Sequence, residues 1–523
     1  MIFRRLVCAL LVLLPPAAAF AADTELKLSV EDAVRTALKK NLDLEIEKVS
    51  PPIATDQITQ ARSEFHPLFD YNLTYARQNR FLNNVLEIRA EDGLVRETRV
   101  TPEAELKGLL TSGTDYKLSA GLMTLKSDNP LRLFDVSYAP TVGIGFTQHL
   151  LRGFGRTVNL VKVHQAQQLE KQALLQVKAK MLDVIQEVET KYWILTYAQQ
   201  HLDISKDNLK VGEELIERLK RMREAGISTD LDVSKASLAA EERRADVARA
   251  EADLKIAQAR LRSAMDPDLP VTTKVIALET PQDEGPPKDL QKMIDRAIEA
   301  RPEVEYQESV IENLSLQEKT ARSDARWKLD ATGGATYAGL GGKDVNPNLD
   351  PNVLFPMFPN LAPNLRPLPG GLEDRSDPLS SFKNGNYSWS LGLSLEIPLG
   401  SRVSLAQVLP TRLHKTQEEL RLQQVKQQIQ LDLEVAFHNM DAEWSQLNSA
   451  REAVRLAQLQ VNAEERNLEV GLNTVWDVVE AQDRLATALD AEGKSMALYA
   501  GSRSRLHAEQ AESFEDYNLV VEP

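Results

Sequence analysis

Two hydrophobic periods alternate along this chain, and each occurs twice. From about Gly155 to Glu224 apolar residues recur at helical spacing without a proline, from Leu160 and Val163 to Leu215 and Leu219. At 1.5 Å per residue that helix is roughly 100 Å long. It breaks at Gly226-Ile227-Ser228-Thr229-Asp230 and restarts as a second helix from about Asp230 to Met265. The same sentence is written again from Ser401 to Val470, with a break at Gly471-Leu472-Asn473-Thr474 and a partner helix from Val475 to about His507. Both breaks read as tips of antiparallel helical hairpins. Subtracting 245 places Gly471 on Gly226, Thr474 on Thr229, Asp477 on Asp232 and Ala481 on Ala236.

The second period is two. Phe69, Tyr71, Leu73 and Tyr75 alternate with Asp70, Asn72 and Thr74, and Val136, Tyr138, Val142, Ile144 and Phe146 alternate with small and polar residues. Tyr387, Trp389, Leu391, Leu393, Leu395 and Ile397 do so most regularly, at a shift of 249 from Tyr138. One greasy and one polar face suit a barrel wall between lipid and water, or a half-buried sheet in a soluble domain. Leu106 to Leu110 and Tyr116 to Leu125 form a further hairpin around Thr111-Ser112-Gly113, inside or outside that wall.

Helices precede each set of strands. Ser29 caps a helix with Val30, Val34, Ala37 and Leu38 on one stripe; Pro51-Pro52 interrupts the path, and a helix resumes from Ile53 to Phe65 until His66-Pro67. A shift of 260 carries Ala37 onto Ala297 and Ala61-Arg62-Ser63 onto Ala321-Arg322-Ser323. In the first half, one long helix is expected to face two short ones stacked end to end. The expected segments are a signal peptide (1–22), a first repeat (23–270, tip 226–232), a linker (271–288), a second repeat (289–510, tip 471–480) and a short acidic tail (511–523). Residues 339–386, rich in Gly, Pro and Asn, are expected to be neither helix nor sheet and to form a long outer loop.

Composition narrows the classes. Arg4 and Arg5, the apolar run Leu6 to Leu14 and the small residues at Ala19-Phe20-Ala21 read as a secretory signal, so export is expected. The single cysteine, Cys8, falls inside it, which leaves no disulfide or thiol nucleophile in the mature chain. No other run reaches the roughly 18 apolar residues of a spanning helix, so a membrane span would have to be made of strands. The net charge of -15 comes without a clustered basic face, which argues against a nucleic-acid partner. The seven histidines are scattered, Gly339 to Asp344 lacks a phosphate loop's first glycine, and no catalytic, cofactor or metal constellation emerges.

The opening Leu28-Ser29-Val30-Glu31-Asp32-Ala33 with Asn41-Leu42-Asp43-Leu44, the strand-to-helix segment Thr147 to Gly155, its counterpart Leu395 to Gly400 and the two tips together resemble the TolC-like outer-membrane factor family. The resemblance covers the mature chain. It implies an α+β membrane protein, a tandem repeat of strands and long antiparallel coiled-coil helices. On trimerisation, as a homotrimer, it would form an outer-membrane β-barrel continuous with a periplasmic α-helical barrel. The implied role is the exit duct of a tripartite efflux pump or type I secretion system. A periplasmic adaptor protein would join it to an inner-membrane transporter, and outer-membrane lipid would surround the barrel. The family's entrance acids match Asp477 and Glu480, with Asp232 corresponding in the first repeat, and its adaptor-docking tips match Gly226, Thr229, Gly471 and Thr474. An arginine and a tyrosine of the family's closed-state latch align with Asn473 and Leu468, so closure here rests on other contacts, with Arg221 and Arg223 as candidates.

Two alternatives stand beside this. Asp232 and Asp477 sit in first helical turns, where a carboxylate favours the helix dipole by about 0.3 to 1 kcal/mol in any protein. A soluble periplasmic coiled-coil scaffold, binding partners without a pore, would share the helices but not the lipophilic strands.

Overall fold

A computed structural model describes residues 25–81, 93–129, 132–226, 228–281, 284–345, 376–382, 385–397, 401–470 and 472–517. The expected signal with Cys8, and most of residues 339–386, lie outside these. The chain divides into two compact units that each draw on both repeats, residues 1–50, 174–306 and 423–523 in one and 51–173 and 307–422 in the other.

The first unit is helical. Helix α1 (Val30–Lys40) starts on a reciprocal capping box in which Ser29 and Asp32 satisfy each other's backbone N–H groups. Its Ala33, Val34, Ala37 and Leu38 pack with Leu44 of α2 (Leu42–Lys48), with Val184, Ile185, Val188, Tyr192 and Leu195 of α5 (Val161–Glu224), and with Leu261 and Met265 of α6 (Asp230–Met265). The α2 cap, Asn41, donates from Nδ2 to the Ala264 carbonyl at 2.8 Å, so α2 begins where α6 ends, as the stacking expectation requires. Helices α7 (Leu290–Ala300) and α8 (Pro302–Asp324) repeat the pattern: Met293, Ile294 and Ala297 are buried where the shift of 260 places Ala33, Val34 and Ala37. The second repeat's long helices are α9 (Ser401–Glu469) and α10 (Val475–Glu509).

Two four-residue strands, β1 (Glu25–Leu28) and β6 (Lys274–Ala277), pair in parallel beside this core, and β6 falls in the expected linker. The buried Tyr192 hydroxyl ties both chains together at the C-terminal end of that pairing, donating to the Leu28 carbonyl (3.0 Å) and accepting from the N–H groups of Leu278 and Glu279 (3.1 Å each). The described part of the expected tail forms α11 (Ser513–Asp516) and delivers Phe514 and Tyr517 to the core, where Tyr517 donates to the Glu189 carboxylate.

Burial pushes the Glu189 carboxyl up from its ordinary value, against the lowering effect of hydrogen bonds from Tyr517 and Ser504. A carboxyl that holds its proton longer in the folded state supplies stability that is complete below the ordinary glutamate pKa of about 4.3 and is lost as pH rises through the raised value. Melting curves of wild type and Glu189→Gln are therefore expected to coincide near pH ~4 and to separate upward, the Gln variant being the more stable at neutral pH. Curves that stay parallel across that range would remove Glu189 as the source.

The second unit is built around one antiparallel sheet. Its path is β2 (Leu68–Phe81), β3 (Leu94–Leu110), β4 (Thr114–Ser127), β5 (Phe134–His149), β7 (Lys328–Ala338) and β9 (Asn386–Glu396), with short β8 (Gly341–Val345) also pairing with β5. Helix α3 (Ser50–Ser63) feeds β2, and its Ile58 packs with Val163 and Ala166 of α5. Pro51 and Pro52 lie inside the first turn of α3, where their missing N–H groups have no helical partner to lose, so the helix starts at Ser50 rather than Ile53. Helix α4 (Arg156–Asn159) links β5 to α5.

The hairpin around Thr111 to Gly113 belongs to the sheet, as β3 and β4. Two findings run against the expected irregular stretch at 339–386: residues 341–345 are a strand, and Ser380–Phe382 is a single 3-10 turn. Sequence reading also passed over β7, whose alternation is carried by glycine and alanine. The Phe146 ring lies over Gly333, where an added Cβ would meet it at 2.3 Å, so the partner strand supplies the bulk that β7 lacks.

Candidate functional site at the helix tips

At the first tip, α5 ends at Glu224 and Gly226 takes a left-handed φ of 74°, a conformation that is free of strain only for glycine. Thr229 then caps α6: its hydroxyl accepts from the Asp232 N–H at 3.3 Å, while Asp232 Oδ2 accepts from the Thr229 N–H (3.0 Å) and hydroxyl (2.6 Å). The second tip reproduces this. Asp477 Oδ2 accepts from the Thr474 N–H (2.8 Å) and hydroxyl (2.7 Å), and the Thr474 hydroxyl accepts from the Asp477 N–H at 3.4 Å. Side-chain and then backbone hydrogen bonds from the capping threonine hold each aspartate below its ordinary pKa, so both remain charged under all physiological conditions.

The remaining predicted residues are distributed as follows. Glu480 is exposed on α10 and pairs with Arg484 one turn on at 2.7 Å. Gly471 and Ile227 lie outside the described residues. Arg223 reaches Asp230 of its own tip at 3.1 Å, and Asn473 donates to Glu464, so both are used within their own hairpins. Each of the three acids is thus held by its own segment, and Asp232 and Asp477 are the third-position partners of capping boxes whose caps are Thr229 and Thr474. Both carboxylates keep their charge in that role.

Packing, by contrast, joins the two hairpins. Leu215 and Leu219 of α5, Ala236 of α6 and Val479 of α10 form one cluster just above the tips, with Val233 and Val475 against it. Behind it runs a seam on α6 at alternating spacings of four and three: Ala236, Ala240, Arg243, Val247, Ala250, Leu254, Ala257, Leu261, Ala264. Arg243 is its one charged member, with a side chain only 5% exposed. Its Nε and Nη2 donate to Asp483 of α10 at 3.0 and 2.6 Å, and Nη1 donates to the Asn208 carbonyl of α5 at 3.1 Å. Gly212 makes the room, since a Cβ there would stand 2.8 Å from Nη1. Seven residues beyond Asp483, Asp490 accepts from the Tyr197 hydroxyl at 2.9 Å and contacts His201 Nδ1 at 2.5 Å. Burial first, then Asp490, raises the Tyr197 pKa, which keeps that donor protonated. Sequence reading missed these ties. The usable signal was an arginine in an alanine seam opposite a glycine within a helix.

A profile of outer membrane efflux proteins matches residues 33–266 and 368–508, well over half of the chain. This chain belongs to the outer membrane efflux protein family. Solved structures of the same fold include the outer-membrane channel OprN, 14% identical, at a TM-score of 0.61 over 92% of this chain and 89% of that one. The Campylobacter jejuni CmeC outer membrane channel is also 14% identical, with a TM-score of 0.61 over 94% and 90%. The Neisseria gonorrhoeae MtrE channel, in its open state, is 15% identical, with a TM-score of 0.58 over 92% and 88%. No curated protein sequence matches. Membership bears out the resemblance read from the repeat, the strand-to-helix segments and the tips, and it makes this an outer membrane efflux protein of the α+β channel fold. Among the described residues, no helix is long and apolar enough to cross a membrane.

Proposed function

We propose that this efflux protein is the outer-membrane exit duct of a tripartite efflux pump or type I secretion system. Three copies would give their sheets to one barrel and their helices to a periplasmic tunnel, through which substrate passes passively. One observation carries the reading. The sheet has an apolar band across one face, and among the described residues its outermost strands, β2 and β9, each pair on one side only. Phe69, Leu106, Leu118, Ile144, Ala335 and Trp389 form one register row across all six strands, and Tyr71, Ala104, Ala120, Val142, Tyr337 and Tyr387 form another. In lipid an open edge leaves each backbone group short by several kcal/mol, on the order of a hydrogen bond unmade, so further strands must close it.

The tips are the proposed entrance and adaptor-docking surface. Val470, Leu472, Leu231 and Trp476 are exposed there, beside Gly226, Thr229 and Thr474, and present apolar anchors to a partner's helices. Asp232, Asp477 and Glu480 would become carboxylate rings on a three-fold axis, favouring cations. The Arg243 tie, in place of the family's latch, would hold the second hairpin against the first in the closed state.

The test is planar-bilayer conductance of the purified protein in a salt gradient, compared with an Asp477→Asn, Glu480→Gln variant that removes charge while keeping a capping side chain. Small cation-selective steps that lose their selectivity in the variant are expected. Absence of steps from a verified trimer, or release of the protein from membranes by carbonate, would favour the scaffold instead.

A further inference from the structure

The two repeats spend equally placed connections differently. A shift of 260 carries the start of β2, Leu68, onto the start of β7, Lys328, and a shift of 249 carries Tyr138 in β5 onto Tyr387 in β9. Between those paired strands the second repeat has β8, which extends the line of β7 along β5 from Tyr138 to Phe134. The first repeat has β3 and β4, of 17 and 14 residues, both longer than the 9–11 needed to cross a bilayer at a tilt.

We infer that the β3–β4 hairpin is part of the lipid-facing wall, so that each copy gives six strands and a three-fold barrel has eighteen rather than the twelve that the repeat alone would supply. Three observations support it. The hairpin's apolar side stays in register with its neighbours: Leu106 and Leu118 stand between Phe69 and Ile144, and Tyr116 beside Phe146. Its other side is a ladder of paired charges, with Lys107 on Asp70 at 2.6 Å and Lys117 on Glu105 at 2.7 Å, suited to a watered lumen. Its helix-side turn is anchored. Gly113 has φ 85° and no room for a Cβ, which would meet the Gly153 carbonyl oxygen at 2.4 Å; its own carbonyl accepts from the His149 N–H at 3.2 Å, and the Ser112 carbonyl accepts from the Gly155 N–H at 3.2 Å.

The path is antiparallel throughout with an even number of strands, so β9 of one copy meets β2 of the next antiparallel and the alternation closes without a fault. Because barrel diameter grows roughly linearly with strand number, the wall is about 1.5-fold wider than without the hairpin, in the range where barrels hold an aqueous channel. Its added lining is charge-paired rather than of one sign. The outer barrel is therefore a wide, unselective conduit for hydrated cargo, and discrimination falls to the tips.

The inference rests on the trimeric-duct reading, and the experiment separates the two. Cryo-electron microscopy of the full chain in lipid nanodiscs is expected to show eighteen wall strands. Twelve, with the hairpin in the lumen or outside the lipid, overturns the inference and leaves the duct; a particle with no barrel overturns the duct itself. Single cysteines give a second readout in a mature chain that otherwise lacks them. Glu105→Cys and Ser119→Cys are expected to react with a membrane-impermeant maleimide, while Leu106→Cys and Leu118→Cys, labelled in denaturant and refolded, are quenched by nitroxide lipids. Equal aqueous labelling at all four positions would place the hairpin outside the wall.

Discussion

Replacing Arg243 by alanine is expected to open the closed channel, seen as larger and longer conductance steps and as entry of bulky dyes into cells. The side chain makes three charge-assisted hydrogen bonds from a buried seam: two cross to Asp483 of the second hairpin, and one to the Asn208 carbonyl braces it within its own. Hydrogen bonds to charged groups contribute roughly 1.5–3 kcal/mol each, and sharing one carboxylate makes them less than additive. A net ~2 kcal/mol per subunit, acting in three subunits that move together, is comparable to the ~5.5 kcal/mol that inverts a 1:99 equilibrium. Arg243→Met, which fills the seam without the charge, is expected to leak as well, and Arg243→Lys to recover only part of the closure because an ammonium cannot reach in a fork. Gly212→Ala should act in the same direction even though alanine favours a helix by about 1 kcal/mol, since its Cβ displaces Nη1. Unchanged conductance from an intact Arg243→Ala trimer would reduce the tie to a structural contact.

Arginine at Leu391 is expected to abolish outer-membrane trimers, whereas arginine at the adjacent Ser390 is expected to leave them intact. The two residues are central in β9, paired with Gly333 and Gly334, and point to opposite faces. A lipid-facing arginine near the midplane of a barrel destabilises by about 2–4 kcal/mol, and each trimer would carry three. Heat-modifiable trimer bands and outer-membrane fractionation read the outcome. If both substitutions were tolerated, or both lethal to assembly, the faces would be wrongly assigned.

These two residues also mark where the sequence was informative. In β9 every lipid-side position is bulky, so period two was plain; in β7 the same face reads Leu329, Ala331, Gly333, Ala335, and its bulk arrives from Phe146 across the ladder. A pattern completed by a neighbour cannot be found in one segment. Strands β1 and β6 were hidden for a related reason, four residues each being too few to show a period. The helices were legible because the shift of 260 predicts burial position by position, from Ala33 and Met293 onward. At the tips, capping and entrance roles ask for the same residue at the same place, so Asp232 and Asp477 were visible without their duties being separable. Arg243 needed only that the seam be written out in steps of four and three.

The order of the strands also sets an order of events in time. Strands β2 to β5 are successive antiparallel neighbours joined by local connections, so they can pair as soon as they leave the translocation machinery. The partner of β5, however, is β7, and everything from Leu150 to Trp327 must be made first. Until then β5 holds an unpaired edge with Val142, Ile144 and Phe146 on it, a template for wrong partners. Aggregation during export should therefore be most sensitive to the speed and chaperoning of the helices between β5 and β7, which add nothing to the wall themselves.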